Sequence, residues 1–410
     1  MKLFYLIALF SILSLSGCQN KKPNSELSDE ELKEKAKKLA HQFIIIDTHI
    51  DVPYRLDHEW EDISQSTAKG HFDYPRAIEG GLDVPFMSIY VPAEYEKKGG
   101  GKELADSLIN LVKTISNDYP DKFKVAYSTA DVLKNFKNGI ISFPMGMENG
   151  TPIGGDLKKL KYFFERGIRY ITLAHSKSNH ISDSSYDEER EWNGLSPFGK
   201  EVVAEMNRLG IMVDVSHLSD SSFYDVIQIS QAPVIASHSS CRFYTPDLER
   251  NMSDEMIKTL AEHDGVIMIN FGSSFIDNEV REESSKHWAY LDSWLIEHNL
   301  SFGDKEAKKF IDDYFSKNKV GEVFVSQVAD HINHVVKLAG VDHVGFGSDF
   351  DGVTNVPTGL EDVSGYPNII YELLKRGYSE EDIEKICSGN LLRVWKEVEV
   401  TAKKLQLVED

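Results

Sequence analysis

Seven titratable side chains stand at or just beyond the ends of short apolar runs: His49, Asp51, Glu148, His175, His217, His238 and Asp349. Imidazoles and carboxylates gathered without clustered cysteines suit zinc. In His49-Ile50-Asp51 the outer two side chains share one side of an extended chain, because strand side chains alternate with period two. Glu148, in Met147-Glu148-Asn149-Gly150, carries two oxygens and is the best placed candidate to bridge two ions. His217, in Asp214-Val215-Ser216-His217, and His238 complete a second position. Two Zn²⁺ bring roughly +4, while Asp51, Glu148, Asp349 and a bridging hydroxide bring about −4, a sum that a partly dry site tolerates. Two ions roughly 3.5–4 Å apart ionise a water at neutral pH and polarise the carbonyl it attacks, so the expected chemistry is hydrolysis by a metal-bridging hydroxide. Asp349 is placed to take the water's proton and pass it to a leaving amine. His175 is placed to donate to the developing oxyanion. Singly, each residue has an ordinary explanation, such as a helix cap for an Asp. Seven at the same kind of position do not.

Positioning these groups requires elements that bring distant residues to one edge. Eight apolar runs recur along the chain: Phe43–Ile46, Val84–Val91, Ile140–Met147, Tyr170–Leu173, Ile211–Val215, Val234–Ala236, Val266–Ile269 and Val344–Phe346. Continuous runs of this length suit parallel strands covered on both faces. Helical signals lie between most of them. Ser196-Pro197 precedes Phe198–Leu209 and Gly210 follows; Ser253 precedes Asp254–His263; Thr129 precedes Asp131–Phe136; Ser379 precedes Glu380–Cys387. Val325, Val328, Ile332, Val335 and Val336 form an apolar stripe ending at Gly340. Strands alternating with helices predict a (β/α)8 TIM barrel, whose strand ends converge on one rim. The segment 272–322 interrupts the rhythm after strand seven. With Trp288, Tyr290, Leu291, Trp294, Leu295, Phe310, Ile311, Tyr314 and Phe315 it reads as a helical insertion on the active-site face. A lid, an oligomer contact such as a homodimer interface, or a plain packing elaboration are its expected roles.

Over about Ile44 to Val398 the chain resembles the membrane (renal) dipeptidases. The resemblance is carried by Asp47-Thr48-His49-Ile50-Asp51, Gly194-Leu195-Ser196-Pro197-Phe198-Gly199, Ala236-Ser237-His238-Ser239-Ser240, Gln327-Val328-Ala329-Asp330-His331 and Gly345-Phe346-Gly347-Ser348-Asp349-Phe350-Asp351-Gly352. It implies a two-zinc metal-dependent hydrolase acting on dipeptides, with His49 and Asp51 on one ion, Glu148 bridging, and His217 and His238 on the other. It also implies substrate contacts from His175 and Arg250. A guanidinium suits the carboxylate that ends a dipeptide, although Arg242 competes for that role, as Asp351 does for that of Asp349. Related barrels carry His-x-His after strand one and a bridging lysine on strand four. Asp51 and the lysine-free Tyr170–Leu173 favour the dipeptidase branch over the phosphotriesterase or dihydroorotase types. Ile50 departs from the polar residue usual there, and the 272–322 insertion is absent from shorter members. The alternatives are hydrolysis of another small amide, such as an N-acyl amino acid or a β-lactam, and a peptide-binding lipoprotein with a relic site. The relic predicts lost ligands, yet every position is filled.

The remaining signals bound the setting. The 410 residues carry 45 Lys+Arg against 66 Asp+Glu, a formal charge of −21 that makes nucleic acid an unsuitable partner. Lys2 and the apolar Leu3–Leu15 read as a signal segment over 1–17, and Leu15-Ser16-Gly17-Cys18 resembles a bacterial lipobox. The expectation is a lipidated Cys18, a tether over 18–30 and a barrel over 31–410, anchored in the bacterial cell envelope on its periplasmic or extracellular side. Cys241 and Cys387 are expected to be buried thiols. Gly99-Gly100-Gly101-Lys102 has Glu96 and Glu103 where a phosphate loop needs Gly and Ser/Thr, and is expected to be a plain loop. His331 and His334 share a helix expected to pack outside the barrel, in a structural or solvated role.

Overall fold

The computed structural model of the protein describes residues 24–300 and 304–409; Cys18 and the signal segment lie outside the described residues. β1 (Ile45–Ile50) and β2 (Leu82–Tyr90) are followed by β3 (Phe123–Val125) and β4 (Ile141–Phe143), which pair with each other in a small separate sheet. β5 (Met145–Glu148), β6 (Ile168–Thr172), β7 (Met212–Asp214), β8 (Ile235–Ser239), β9 (Val266–Ile269) and β10 (Val344–Phe346) join β1 and β2 in a closed parallel barrel of eight strands. Asp47 opposite Phe346 closes the ring. The (β/α)8 expectation is therefore met. One expected strand is two: Pro144 has no N–H for a ladder, and the chain leaves the small sheet at Phe143 and enters the barrel at Met145.

The barrel interior is filled by alternating strand residues, among them Ile46, Val84, Phe86, Tyr170, Met212, Ile235, Val266 and Met268. Leu391, Val394 and Trp395 of the C-terminal helix Asn390–Glu409 pack against this layer, with the Trp395 ring 5.5 Å from that of Phe86. Tyr170 takes its space from Gly146, where a Cβ would stand 1.9 Å from the phenol ring.

Helix boundaries follow local chemistry. Ser196 Oγ accepts from Gly199 N at 2.8 Å, Pro197 opens the helix Pro197–Leu209, and Gly210 ends it at φ 84°. Ser253 caps Asp254–Glu262, while the cap of Thr129–Lys137 is Ser128 rather than Thr129. The stretch after Ser379 is a short helix, Glu380–Glu384, running through a wider turn at Lys385–Gly389 into the C-terminal helix. The insertion is helical as expected: Ser273–Ile276, Asn278–His298 and Lys305–Lys317, with Trp294 stacked on Phe310 at 3.7 Å and Leu291 and Leu295 buried. The boundary expected at residues 30 and 31 falls within a helix. Helix Asp29–Ala40 buries Leu32, Ala36, Leu39 and Ala40 in the fold, so the packed chain begins before residue 31. Both cysteines are buried and free. His331 is buried, taking Cys241 N–H on Nδ1 and reaching Ile276 O with Nε2, and His334 pairs with Asp254. Both are structural. Among the described residues no helix is long and apolar enough to cross a membrane.

At the other end of the barrel, half-buried Asp83 accepts Ile45 N–H at 3.0 Å. Burial pushes its pKa from 3.8 up to about 7. The folded state thus prefers the protonated acid, and a cost to stability grows as pH rises from 3.8 and is complete above about 7. Asp83→Asn keeps an acceptor for Ile45 and removes the charge. Its stability advantage over the parent in urea unfolding should grow by on the order of 1–2 kcal/mol between pH 5.5 and 8. A pH-independent difference would refute the assignment.

Candidate active site

The seven side chains named from the sequence meet at the C-terminal rim of the barrel. His49 and His238 lie within β1 and β8, Glu148 ends β5, and His175, His217 and Asp349 follow β6, β7 and β10. Asp51 is not in extended chain as the period-two argument supposes. It sits at the start of helix Val52–His58, and that turn brings its Oδ2 to 3.4 Å from His49 Nε2. His217 (φ 68°) and Asp349 (φ 64°) hold left-handed backbone, a conformation uncommon for residues other than glycine that clusters at functional sites. Ile50 faces away from the rim, fully buried in the apolar layer.

Glu148 is the hub. Its Oε2 faces His49 Nε2 at 3.5 Å, beside Asp51. Its Oε1 faces His217 Nε2 at 3.0 Å, His238 Nε2 at 3.2 Å and His175 Nε2 at 3.5 Å. Asp349 completes a third grouping with His49 and His238, whose ligand atoms lie within 4.8 Å of one another. Asn270, directly after β9, donates to Asp349 Oδ2 at 2.8 Å.

The charged groups of this cluster place opposed demands on one another. Burial raises the Glu148 carboxyl, but His175, His49, His217 and His238 outweigh it and hold the acid well below its usual range. Burial, reinforced by Arg250, keeps His217 and His238 well below theirs, hence neutral. Burial also opposes a charge on His49, yet Tyr170, Glu148 and Asp51 raise it well above its ordinary value. Burial, with Asp51 and Glu148, pushes Asp349 up to about 7 against the pull of His49 and Asn270. His217 Nε2 and His238 Nε2 stand only 2.9 Å apart. Arg250 Nη2 donates to the first at 3.1 Å, so that nitrogen presents a lone pair. His49 Nε2 and Asp51 Oδ1 are buried without hydrogen-bond partners. Imidazole nitrogens and carboxylate oxygens converging in one small space are the donor set of divalent metal ions.

The two rival pairs, Arg242 and Arg250, Asp349 and Asp351, differ in the partners they take. Arg242 is engaged by both oxygens of Asp220, at 2.8 and 2.6 Å, whereas Arg250 is buried against the cluster, donating to Ser239 Oγ at 2.8 Å and His238 O at 2.7 Å. Asp351 accepts from Arg55 Nε at 2.8 Å and His71 N at 2.6 Å, so it holds neighbouring loops together while Asp349 faces the rim. The Gly99–Gly101 loop opens helix Gly101–Asp118 and lines a separate cavity of about 460 Å³ that none of the clustered residues reaches.

Sequence reasoning missed Asn270, beside Asp349, Tyr170, whose hydroxyl lies 2.7 Å from His49 Nδ1, and Ser237, which lies 2.7 Å from His238 Nδ1 and donates to Asp214. Asn270 directly follows the apolar run Val266–Ile269, as Glu148 follows the run ending at Met147, and was detectable that way. Tyr170 reads as core because it lies inside an apolar run.

The barrel and its rim define a metal-dependent hydrolase. The profile of the membrane dipeptidases, peptidase family M19, matches residues 33–409, and the chain belongs to that family as a metallo-dipeptidase. It is 36% identical over 344 residues to dipeptidase tcpJ of Claviceps purpurea, covering 81% of this chain and 70% of the relative. Dipeptidase aclJ of Aspergillus oryzae is also 36% identical, over 82% of this chain and 72% of the relative. Among solved structures, the probable dipeptidase PvdM from Pseudomonas aeruginosa superposes with a TM-score of 0.79 at 26% identity, over 91% of this chain and 100% of that one. A Rhodobacter sphaeroides metallopeptidase, liganded with a phosphinate mimic of L-Ala-D-Ala, gives 0.71 at 27% identity over 87% and 99%.

A Cβ at Gly352 would stand 2.3 Å from Asp349 Oδ1 and 2.3 Å from Asp51 Oδ2. Gly352→Ala should therefore displace both carboxylates, lowering dipeptide turnover by about 10²-fold while thermal unfolding changes little. Unchanged turnover would show that the carboxylates need not stand where they do.

Proposed function

We propose that the chain hydrolyses dipeptides with two zinc ions held at this rim, one by His49 and Asp51, the other by His217 and His238, with Glu148 between them. The observation that carries this reading is the pair of histidine Nε2 atoms 2.9 Å apart at one oxygen of Glu148, while its other oxygen faces His49. When bound, the ions would supply an ionised water at neutral pH and polarise the scissile carbonyl. The chain's own residues do the rest. Asp349, whose carboxyl burial pushes up to about 7, takes a proton and delivers it to the leaving amine. Burial favours neutral His175, which donates to the oxygen on which negative charge develops. Arg250, whose Nε is buried without a partner, grips the substrate's C-terminal carboxylate.

Full chelation should abolish turnover of a panel of L-L and L-D dipeptides, and zinc should restore it; activity that survives chelation would end the proposal. Within the same panel, Arg250→Ala should raise KM by roughly 10–10²-fold, as expected for losing a charged hydrogen bond. Asp349→Asn should instead lower kcat by about 10²–10⁴-fold. Equal turnover of a dipeptide and its C-terminal amide by the parent would remove the role given to Arg250.

The same reading places the enzyme in the bacterial cell envelope, tethered through lipidated Cys18. The tether is supported by the lipobox and by the start of the described chain, where Asn24 Nδ2 donates to Tyr378 O. Tyr378 follows the helix Tyr366–Lys375, whose end lies away from the catalytic rim because barrel helices run back antiparallel to their strands. Cys18→Ser should move the protein from the detergent phase to the aqueous phase on phase partition, with dipeptidase activity unchanged. Retention in the detergent phase would refute the anchor.

A further inference from the structure

Two histidines of the cluster have their outer ring nitrogens engaged by hydroxyls from the barrel interior. His49 Nδ1 lies 2.7 Å from Tyr170 Oη, and that hydroxyl donates to Thr48 O at 3.0 Å. A phenol has one proton. With it committed to Thr48, Tyr170 can only accept from His49, so His49 carries hydrogen on Nδ1 and presents Nε2 to Asp51 and Glu148. His238 Nδ1 lies 2.7 Å from Ser237 Oγ, and Ser237 Oγ donates to Asp214 Oδ2 at 2.6 Å. By the same count His238 carries hydrogen on Nδ1 and presents Nε2 to Glu148 and His217. Asp214 is buried and accepts three further hydrogen bonds: from Thr172 Oγ1, from Ser237 N at 2.8 Å and from Ser216 N at 3.1 Å. It therefore holds the backbone on the approach to His217 as well as the serine behind His238.

We propose that Tyr170 and Ser237, the latter backed by Asp214, are positioning residues that set the affinity of the two metal positions separately. Tyr170 acts through His49 on one position, and the Asp214–Ser237 pair acts through His238 on the other. This rests on the two-ion reading above. Each hydroxyl keeps a hydrogen on the outer nitrogen of its ring and fixes the ring's orientation, which is how groups behind a ligand raise its basicity and narrow its geometry. The hydroxyls sit on different strands, β6 and β8, and share no partner, so removing one leaves the other chain of hydrogen bonds intact. The His49 and His238 rings stack at 3.7 Å, which makes independence a demanding claim.

The test starts from zinc-loaded protein equilibrated against chelator-buffered zinc, with zinc per chain read by mass spectrometry. The parent should lose its two ions in two steps. Tyr170→Phe should shift one step by about 10–100-fold in free zinc and Ser237→Ala the other, with Ser237→Thr restoring the parental curve. Asp51→Ala, which removes the first position, identifies the steps: in that background Ser237→Ala should weaken the remaining ion and Tyr170→Phe should not. Equal weakening of both steps by each variant, or no shift in either, would overturn the positioning roles. A parent that holds only one ion per chain would instead overturn the two-ion reading beneath them. Loss of both ions together with a lowered melting temperature would mark a structural defect and would also count against the proposal.

Discussion

Asp51, Glu148 and Asp349 are nearly removed from water at one rim, among histidines that burial keeps from charging freely. A buried carboxylate without a partner is unstable, and the alternatives are protonation, pairing or a metal. The cluster uses parts of all three. Asp349 moves toward the neutral acid, Glu148 stays ionised among four imidazoles, and His49 is drawn toward the cation. The arrangement is a set of opposed demands that divalent cations would satisfy together. Everything around it holds these groups where they conflict.

The barrel supplies that restraint. Parallel strands deliver their ends to one rim, while the interior below is dense with Phe86, Tyr170 and Trp395. The polar supports rise out of this core. Asp47, just below His49, accepts from His49 N, from Ser348 N at 2.9 Å and from the Tyr366 hydroxyl, and so ties the first strand to the turn that carries Asp349. Asp214 does the corresponding work for β7 and β8.

Much of this was legible in the sequence for physical reasons. Strands buried on both faces read as continuous apolar runs, and Val266–Ile269 and Val344–Phe346 coincide with β9 and β10. The offset of a polar residue beyond each run marks the rim. What was not legible depends on contacts between strands. Tyr170 is indistinguishable from core until the register places its hydroxyl beneath His49. Arg242 and Arg250 lie on one loop, and only the partner taken by Arg242, Asp220, separates them. Pro144 divides a run that reads as a single strand, and the expected tether boundary falls inside a helix because an amphipathic, charge-rich stretch looks like a linker until its apolar face meets the helix Tyr366–Lys375.

The central claim is that this rim holds two ions bridged by Glu148. Anomalous diffraction at the zinc edge, from crystals of the zinc-loaded protein, tests it most directly. The account predicts two peaks per chain, one touching His49 and Asp51 and the other touching His217 and His238, with Glu148 reaching both. A single peak, or peaks that Glu148 does not contact, would contradict it.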